Sequence, residues 1–215
     1  MSKITVIDYG SGNLRSVAKA LESVGGQVTV SQSPAAIIDA DRVVLPGVGA
    51  FADCYRNLQE SGLLEPTLEH IRAGKPFLGI CVGMQLLFSE GHEFGVHKGL
   101  DLISGHVGGF KTDMADPEQP GMNLKVPHMG WNRVAQKQEH PLWAGIPDNS
   151  HFYFVHSFHA QPKESQLIAG SSSYGIEFCA AIAQDNIFAT QFHPEKSQKN
   201  GLTLLKNFIS WSPAR

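Results

Sequence analysis

The first ninety residues alternate short apolar, β-branched runs with helical patterns, and that alternation limits the fold more than any other feature of the chain. "ITVIDY" reads as a buried strand and residues 14–24 as a helix; "QVTV" and "RVVLP" follow as second and third strands. Residues 51–61 and a further segment read as amphipathic helices ("NLQESGLLEPTLEHIRAG"), and "PFLGI" as a fourth strand. Strands apolar on both faces, each followed by a helix, predict a mostly parallel central sheet with helices on either side. From about Asp101 the texture changes. "HVGGF", "LKVPH", "HFYFVHSF", "QLIAGSS", "CAAIAQ" and "IFATQF" succeed one another with turns between them, which predicts an antiparallel extension. The proline-rich "TDMADPEQPGMN" reads as an exposed loop, and residues 202–209 as a closing helix. There is no repeat or linker, so the expectation is an α/β fold in a single domain of residues 1–215.

Composition enters by exclusion. A formal charge of -3 leaves no basic footprint for nucleic acid. No apolar run approaches the ~20 residues of a membrane span, and "MSKITVIDYG" lacks the long apolar stretch of a signal peptide. The three cysteines, Cys54, Cys81 and Cys179, have no paired spacing, which fits a reducing cytoplasm.

One of these cysteines stands apart. Gly79-Ile80-Cys81-Val82-Gly83 is G-x-C-x-G at the point where the fourth strand gives way to an apolar helical run, the thiol counterpart of a nucleophile elbow. A nucleophile on so sharp a turn sits on strained backbone, and flanking side chains would collide with strand and helix. The N–H groups of the following helix would favour thiolate and serve a developing oxyanion. Cys54 and Cys179 fall inside helical and strand patterns and read as small core residues.

A thiolate needs an imidazole partner. In "FATQFHPEKS", His193 and Glu195 follow a strand with only Pro194 between them. At strand spacing the two side chains share a side, so Glu195 would orient His193 toward Cys81. Donors for a tetrahedral oxyanion are expected from "LPGVGAF" after the third strand: the Val48 or Gly49 amide, together with that of Val82.

Taken together these residues resemble the class I, triad-type glutamine amidotransferases, whose Cys, His and Glu match Cys81, His193 and Glu195. "DYGSGNLRSV", "LPGVGAF", "GICVGMQLLF", "VPHMGWN", "YFVHSF" and "QFHPEKS", spanning residues 8–197, resemble the glutaminase subunits of imidazole glycerol phosphate synthases. The resemblance implies a flavodoxin-like core and hydrolysis of glutamine through a γ-glutamyl thioester on Cys81. It implies that Gln85 and Glu93 (Glu90 being the other carboxylate nearby) hold the amino-acid end of glutamine, helped by Gly49 and the backbone of Ser157 and Phe158. Phe158 stands where many relatives have tyrosine. It also implies a (β/α)₈ synthase partner met by Asn13, Met129, Trp131, Asn132 and Lys196. Ammonia would pass into that partner, which makes imidazole glycerol phosphate and an aminoimidazole carboxamide ribotide in histidine biosynthesis. A dry passage keeps ammonia unprotonated and nucleophilic, and the same logic predicts a latent glutaminase whose oxyanion donor turns inward only when the partner is loaded. Neither cofactor nor metal is implied.

Other signals have plainer readings. Gly10-Ser11-Gly12 has Arg15 where a dinucleotide fingerprint has glycine, and no phosphate loop occurs. His92, His97 and His106 match no familiar zinc spacing and read as loop histidines. Three rival functions share part of the pattern: a glutaminase feeding another synthase, such as one for a purine or pyridoxal phosphate; a cysteine hydrolase of esters or lactones; and a catalytically dead interaction protein. "PHMGWN" and "GSGNLRS" weigh against the first, the order Cys, His, Glu against the second, and the intact trio against the third.

Overall fold

The computed structural model describes residues 2–116 and 119–213. Five strands make the parallel core. β1 (Lys3–Ile7) leads through α1 (Leu14–Ser23) to β2 (Gln27–Ser31), then α2 (Pro34–Ile38) to β3 (Arg42–Gly47), and α3 (Phe51–Glu60) with α4 (Leu64–Arg72) to β4 (Phe77–Cys81). A one-turn helix, α5 (Val82–Gln85), follows. The hairpin β5 (Phe88–Gly91) and β6 (His97–Lys98) precedes β7 (Ile103–Gly109), β8 (His128–Gln136), β9 (Ser150–His156), β10 (Phe158–Pro162), β11 (Ile168–Tyr174) and β12 (Ile176–Gln184). β13 (Ile187–Thr190) is the fifth core strand, and α6 (Gln198–Ser210) closes the described chain.

The sheet runs β2-β1-β3-β4-β13-β12-β10-β7-β5-β6. β1, β2, β3, β4 and β13 are mutually parallel, which is the flavodoxin-like order, and β12 and β10 extend the sheet antiparallel. β11 branches from β12 to meet β8, which pairs with β9. Every residue of β3, β4 and β13 is buried, as expected of strands covered on both faces, while edge strand β2 is largely exposed. Phe77, Phe188 and Phe208 are fully buried; each contributes on the order of 2–3 kcal/mol of apolar burial. α1 turns Val17, Ala18, Ala20 and Leu21 inward, the spacing of one helical face. The buried Arg42 side chain satisfies the last carbonyls of α6, donating to Phe208 O (3.0 Å), Ile209 O (2.7 Å) and Trp211 O (2.6 Å).

Several expectations need correction. The apolar run after Cys81 is not a long helix. It forms one turn, and Phe88 already lies in a strand, because a short buried apolar run serves either element. "HFYFVHSF" is two strands broken by a bend at Ser157, and of "LKVPH" only His128 is in a strand. α6 begins at Gln198, earlier than its apolar face indicates. In the proline-rich loop Ala115 pairs with Asn123 in an isolated bridge, while Pro117 and Glu118 lie outside the described residues.

Candidate active site

Cys81 is the last residue of β4, with φ 56° and ψ -113°, a conformation that costs a non-glycine residue roughly 1–3 kcal/mol. Close packing enforces it. A Cβ on Gly83 would lie 1.9 Å from the Leu45 carbonyl oxygen, and one on Gly79 would lie 2.8 Å from the Gly83 oxygen. Only glycines let the elbow press against β3. The turn leaves Cys81 5% exposed. Because α5 is a single turn, the dipole of a long helix is absent; what remains is the first N–H of the turn, that of Val82, for which no intrahelical acceptor exists. Burial raises the thiol of Cys54 and pushes that of Cys179 up to about 12, so both behave as the inert core residues expected.

His193 follows β13, the strand next to β4, so the two side chains arrive at the carboxyl ends of neighbouring parallel strands. Its backbone is pinned on both sides. His193 N–H donates to Tyr153 O (2.9 Å), and the Ser197 hydroxyl donates to His193 O (2.6 Å) while accepting Tyr153 N–H (2.9 Å). His193 Nδ1 lies 2.9 Å from Glu195 Oε1, with both side chains buried. The geometry behind this contact differs from the expected extended one: Pro194–Lys196 form a 3₁₀ turn, which curls Glu195 back under the imidazole. Burial alone would lower the His193 pKa, but interactions with Cys81 and Glu195 prevail and raise it to about 10. His193 Nε2 has no hydrogen-bond partner of regular geometry.

Cys81 and His193 line a cavity of about 310 Å³ together with Val48, Gly49, Val82, Gln85, Glu93, Ser157, Phe158 and Lys196. The structure thus brings together the expected nucleophile, base and glutamine-holding residues. Gln85 Nε2 donates to Phe158 O (3.1 Å) and to Gln191 Oε1 (3.0 Å), and Gln191 Nε2 lies 3.7 Å from Cys81 Sγ. The sequence reading missed Gln191. Its one signal is its position two residues before His193 at the end of a strand, where alternation sends both side chains the same way. Glu93 Oε2 accepts Phe51 N–H (2.7 Å), which both fixes the carboxylate at the start of α3 and leaves its second oxygen free of that bond. Glu90 does not line the cavity; its carboxylate meets His92 Nε2 at 2.8 Å.

Val48, a candidate oxyanion donor, is held elsewhere in this conformation. Its N–H is turned to Ser11 Oγ (3.2 Å), and the Ser11 hydroxyl donates back to Val48 O. One side chain therefore occupies both polar atoms of this residue, so the Val48 N–H is unavailable to an oxyanion in this conformation. Gly49 follows at φ +117°, a backbone setting that side chains rarely adopt.

Of the residues expected at a partner face, Met129 and Trp131 project from one face of β8, 62% and 46% exposed. Lys196 Nζ sits 5.8 Å over the Tyr153 ring, which meets Trp131 edge-on. Asn13 stands at the start of α1, a helix that packs against the Pro194–Lys196 turn. Asn132 alternates with Met129 and Trp131 along β8 but lines the same groove as both; its Nδ2 donates to Ser173 O (2.8 Å) and His128 Nε2 (3.2 Å), and its Oδ1 accepts Arg133 N–H (2.8 Å). Of the three histidines expected in loops only His92 is in one; His97 lies in β6 and His106 in β7, where its ring stacks on His92 at 4.7 Å. Among the described residues no group of three or more His, Cys, Asp or Glu side chains is arranged to hold a metal ion.

Residues 5–211 match the family model described as glutamine amidotransferase class-I. The chain is 54% identical over 208 residues to the imidazole glycerol phosphate synthase subunit HisH of Geobacter sulfurreducens, covering 97% of this chain and 98% of that one. It is 52% identical over 215 residues to the protein of the same name from Aromatoleum aromaticum, covering 99% and 100%. Among solved structures, PurLQS from Thermotoga maritima aligns with a TM-score of 0.72 at 15% identity, covering 98% and 99% of the two chains. A GMP synthase protein from Thermoplasma acidophilum aligns with a TM-score of 0.69 at 22% identity, covering 98% and 93%. At these identities the two structures speak to the fold alone.

Proposed function

We propose that this chain, which belongs to the class-I glutamine amidotransferases, is the glutaminase subunit of an imidazole glycerol phosphate synthase and acts in histidine biosynthesis. The observation that carries this reading is the meeting of Cys81 with the bonded His193–Glu195 pair in one cavity, within a chain so similar to HisH over nearly its whole length. We read residues 1–215 as one glutaminase domain.

The chemistry follows from the geometry. Cys81 Sγ attacks the side-chain carbonyl carbon of glutamine, and the carbonyl becomes an oxyanion facing the Val82 amide and the Val48 amide, the latter turned inward when the loaded synthase is bound. His193, which Glu195 keeps oriented and positively charged, gives its proton to the departing nitrogen as the C–N bond breaks, so ammonia leaves and a γ-glutamyl thioester remains. Neutral His193 then takes a proton from water as the water oxygen attacks the thioester; the C–S bond breaks, and glutamate and Cys81 are regenerated. Gln85, held by Gln191 and the Phe158 carbonyl, and the free oxygen of Glu93 are placed to receive the α-amino and α-carboxyl end of the substrate.

The ammonia acceptor is a (β/α)₈ synthase partner docked over Met129, Trp131 and Lys196. Lys196 supports that placement, since it lines the cavity and also lies over Tyr153 beside Trp131. No helix among the described residues is long and apolar enough to cross a membrane, and we place the complex in the cytoplasm. The rival ester or lactone hydrolase, and a glutaminase serving another synthase, are not favoured beside this degree of likeness.

The test is glutamate release from glutamine by the chain alone and with a synthase carrying its nucleotide substrate, with Cys81→Ala as control. Strong stimulation that disappears in Cys81→Ala supports the reading. Equal turnover with and without the loaded synthase rejects the gating, and turnover of esters in place of glutamine rejects the function.

A further inference from the structure

Behind the glutamine cavity lies a line of side chains that no step above uses. His156 Nδ1 is 2.9 Å from Phe158 O, His156 Nε2 is 2.9 Å from His128 Nδ1, and His128 Nε2 is 3.2 Å from Asn132 Nδ2. The direction of every proton along this line can be deduced. A carbonyl oxygen only accepts, so His156 carries its proton on Nδ1. Both histidines are buried among Phe110, Phe154 and Phe178, and burial pushes His156 down to about 3 and His128 down to about 4, so each ring holds one proton. His156 Nε2 is then a lone pair, which obliges His128 to donate from Nδ1. His128 Nε2 is in turn a lone pair and accepts from Asn132, whose amide orientation is set independently by Ser173 O and Arg133 N. The far end of the line matters for the substrate, because Phe158 O also receives the Gln85 amide. His128 borders an open groove of about 820 Å³ that Met129, Trp131 and Asn132 also line, and His156 borders the glutamine cavity, so the line crosses the wall between the two.

We propose that His156 and His128 are positioning residues for glutamine: a one-directional hydrogen-bond strut, anchored at Asn132, that holds the Phe158 carbonyl and through it the Gln85 amide in the substrate-binding arrangement. The proposal rests on the glutaminase reading above. It also gives a role to the Asn132 amide, whose Nδ2 is bonded to His128 and Ser173.

The experiment measures KM and kcat for glutamine in the complex with the loaded synthase. His156→Phe keeps an aromatic ring among its aromatic neighbours but withdraws the donor from Phe158 O. The expected result is a KM raised about five- to tenfold, the worth of one neutral hydrogen bond, with kcat within about twofold. His156→Asn places an amide donor near the Nδ1 position, and the expectation is recovery of most of the KM. An unchanged KM in His156→Phe, or a KM raised equally in His156→Asn, overturns the proposal. A second readout needs no turnover: long-range ¹H–¹⁵N spectra of the wild-type chain should show both rings neutral and protonated at Nδ1. An Nε2-protonated ring at either position overturns the strut. If the wild-type complex releases no glutamate, the functional reading fails while the spectra still decide the strut.

Discussion

If Val48 is the gated oxyanion donor proposed above, Ser11 is the point at which a single atom should change the resting activity. Its hydroxyl accepts the Val48 N–H and donates to the Val48 carbonyl, so Ser11→Ala withdraws two hydrogen bonds from the turned-away conformation and touches neither Cys81 nor His193. Each neutral hydrogen bond is worth about 0.5–1.5 kcal/mol net, giving a bound of roughly 1–3 kcal/mol. Val48 is 54% exposed, so water replaces part of what is lost and the lower half of that range applies. A shift of about 1.4 kcal/mol raises the population with an inward N–H about tenfold while that state remains the minor one. Glutamate release by the chain alone should therefore rise about tenfold in Ser11→Ala at saturating glutamine. The rate with the loaded synthase should stay close to wild type, since on the proposed gating the inward state is already populated there. Ser11→Thr, which retains a hydroxyl, should keep the low resting rate. If Ser11→Ala leaves the unstimulated rate unchanged while the stimulated rate is normal, the reasoning fails: either Ser11 does not hold the peptide or Val48 does not serve the oxyanion.

Three further outcomes are expected. Glu195→Gln leaves a partner for His193 but removes the charge that helps raise its pKa, so kcat with the loaded synthase should fall by about a thousandfold or more at neutral pH; a loss under about tenfold would argue against an ionic orienting role. Burial holds His128 and His140 down to about 4 and His156 down to about 3. Because the folded values lie below the unfolded one of ~6.5, the stability these groups allow is intact above that pH and is lost as pH falls toward the folded values. The urea midpoint should accordingly drop between pH 7 and pH 5, less so in His128→Phe; a flat midpoint would contradict it. Trp131→Ala should weaken synthase binding by about 2 kcal/mol in titration calorimetry while glutamine turnover by the free chain is retained, and unaltered affinity would move the docking face elsewhere.

What could be read from the sequence is what local sterics and nearest neighbours determine. The elbow was legible because Gly79 and Gly83 announce a turn that tolerates no Cβ, and the His193–Glu195 contact because two residues so close in the chain can hardly avoid one another. The parallel core was legible because its central strands, buried on both faces, are runs of mostly apolar residues. Val48 was not, since its orientation is set by Ser11, 37 residues earlier, through contacts that leave no periodic trace. Gln191 escaped because its one signal, the two-residue spacing from His193, is shared by any polar residue near a strand end, and the run after Cys81 because apolar residues fill a buried helix or a buried strand equally well.

The position of β13 also bears on how the protein comes into being. This strand, residues 187–190, lies between β4 and β12, yet it is the last of the described strands in the chain. A nascent polypeptide that has emerged only as far as β12 carries the elbow but has no His193, and both β4 and β12 offer unpaired edges. Such a chain has a thiol and no base to work it, so glutamine is safe from premature hydrolysis during synthesis. For that interval the same gap is also a seam of the sheet open to mispairing, and it stays open until β13 arrives to close it.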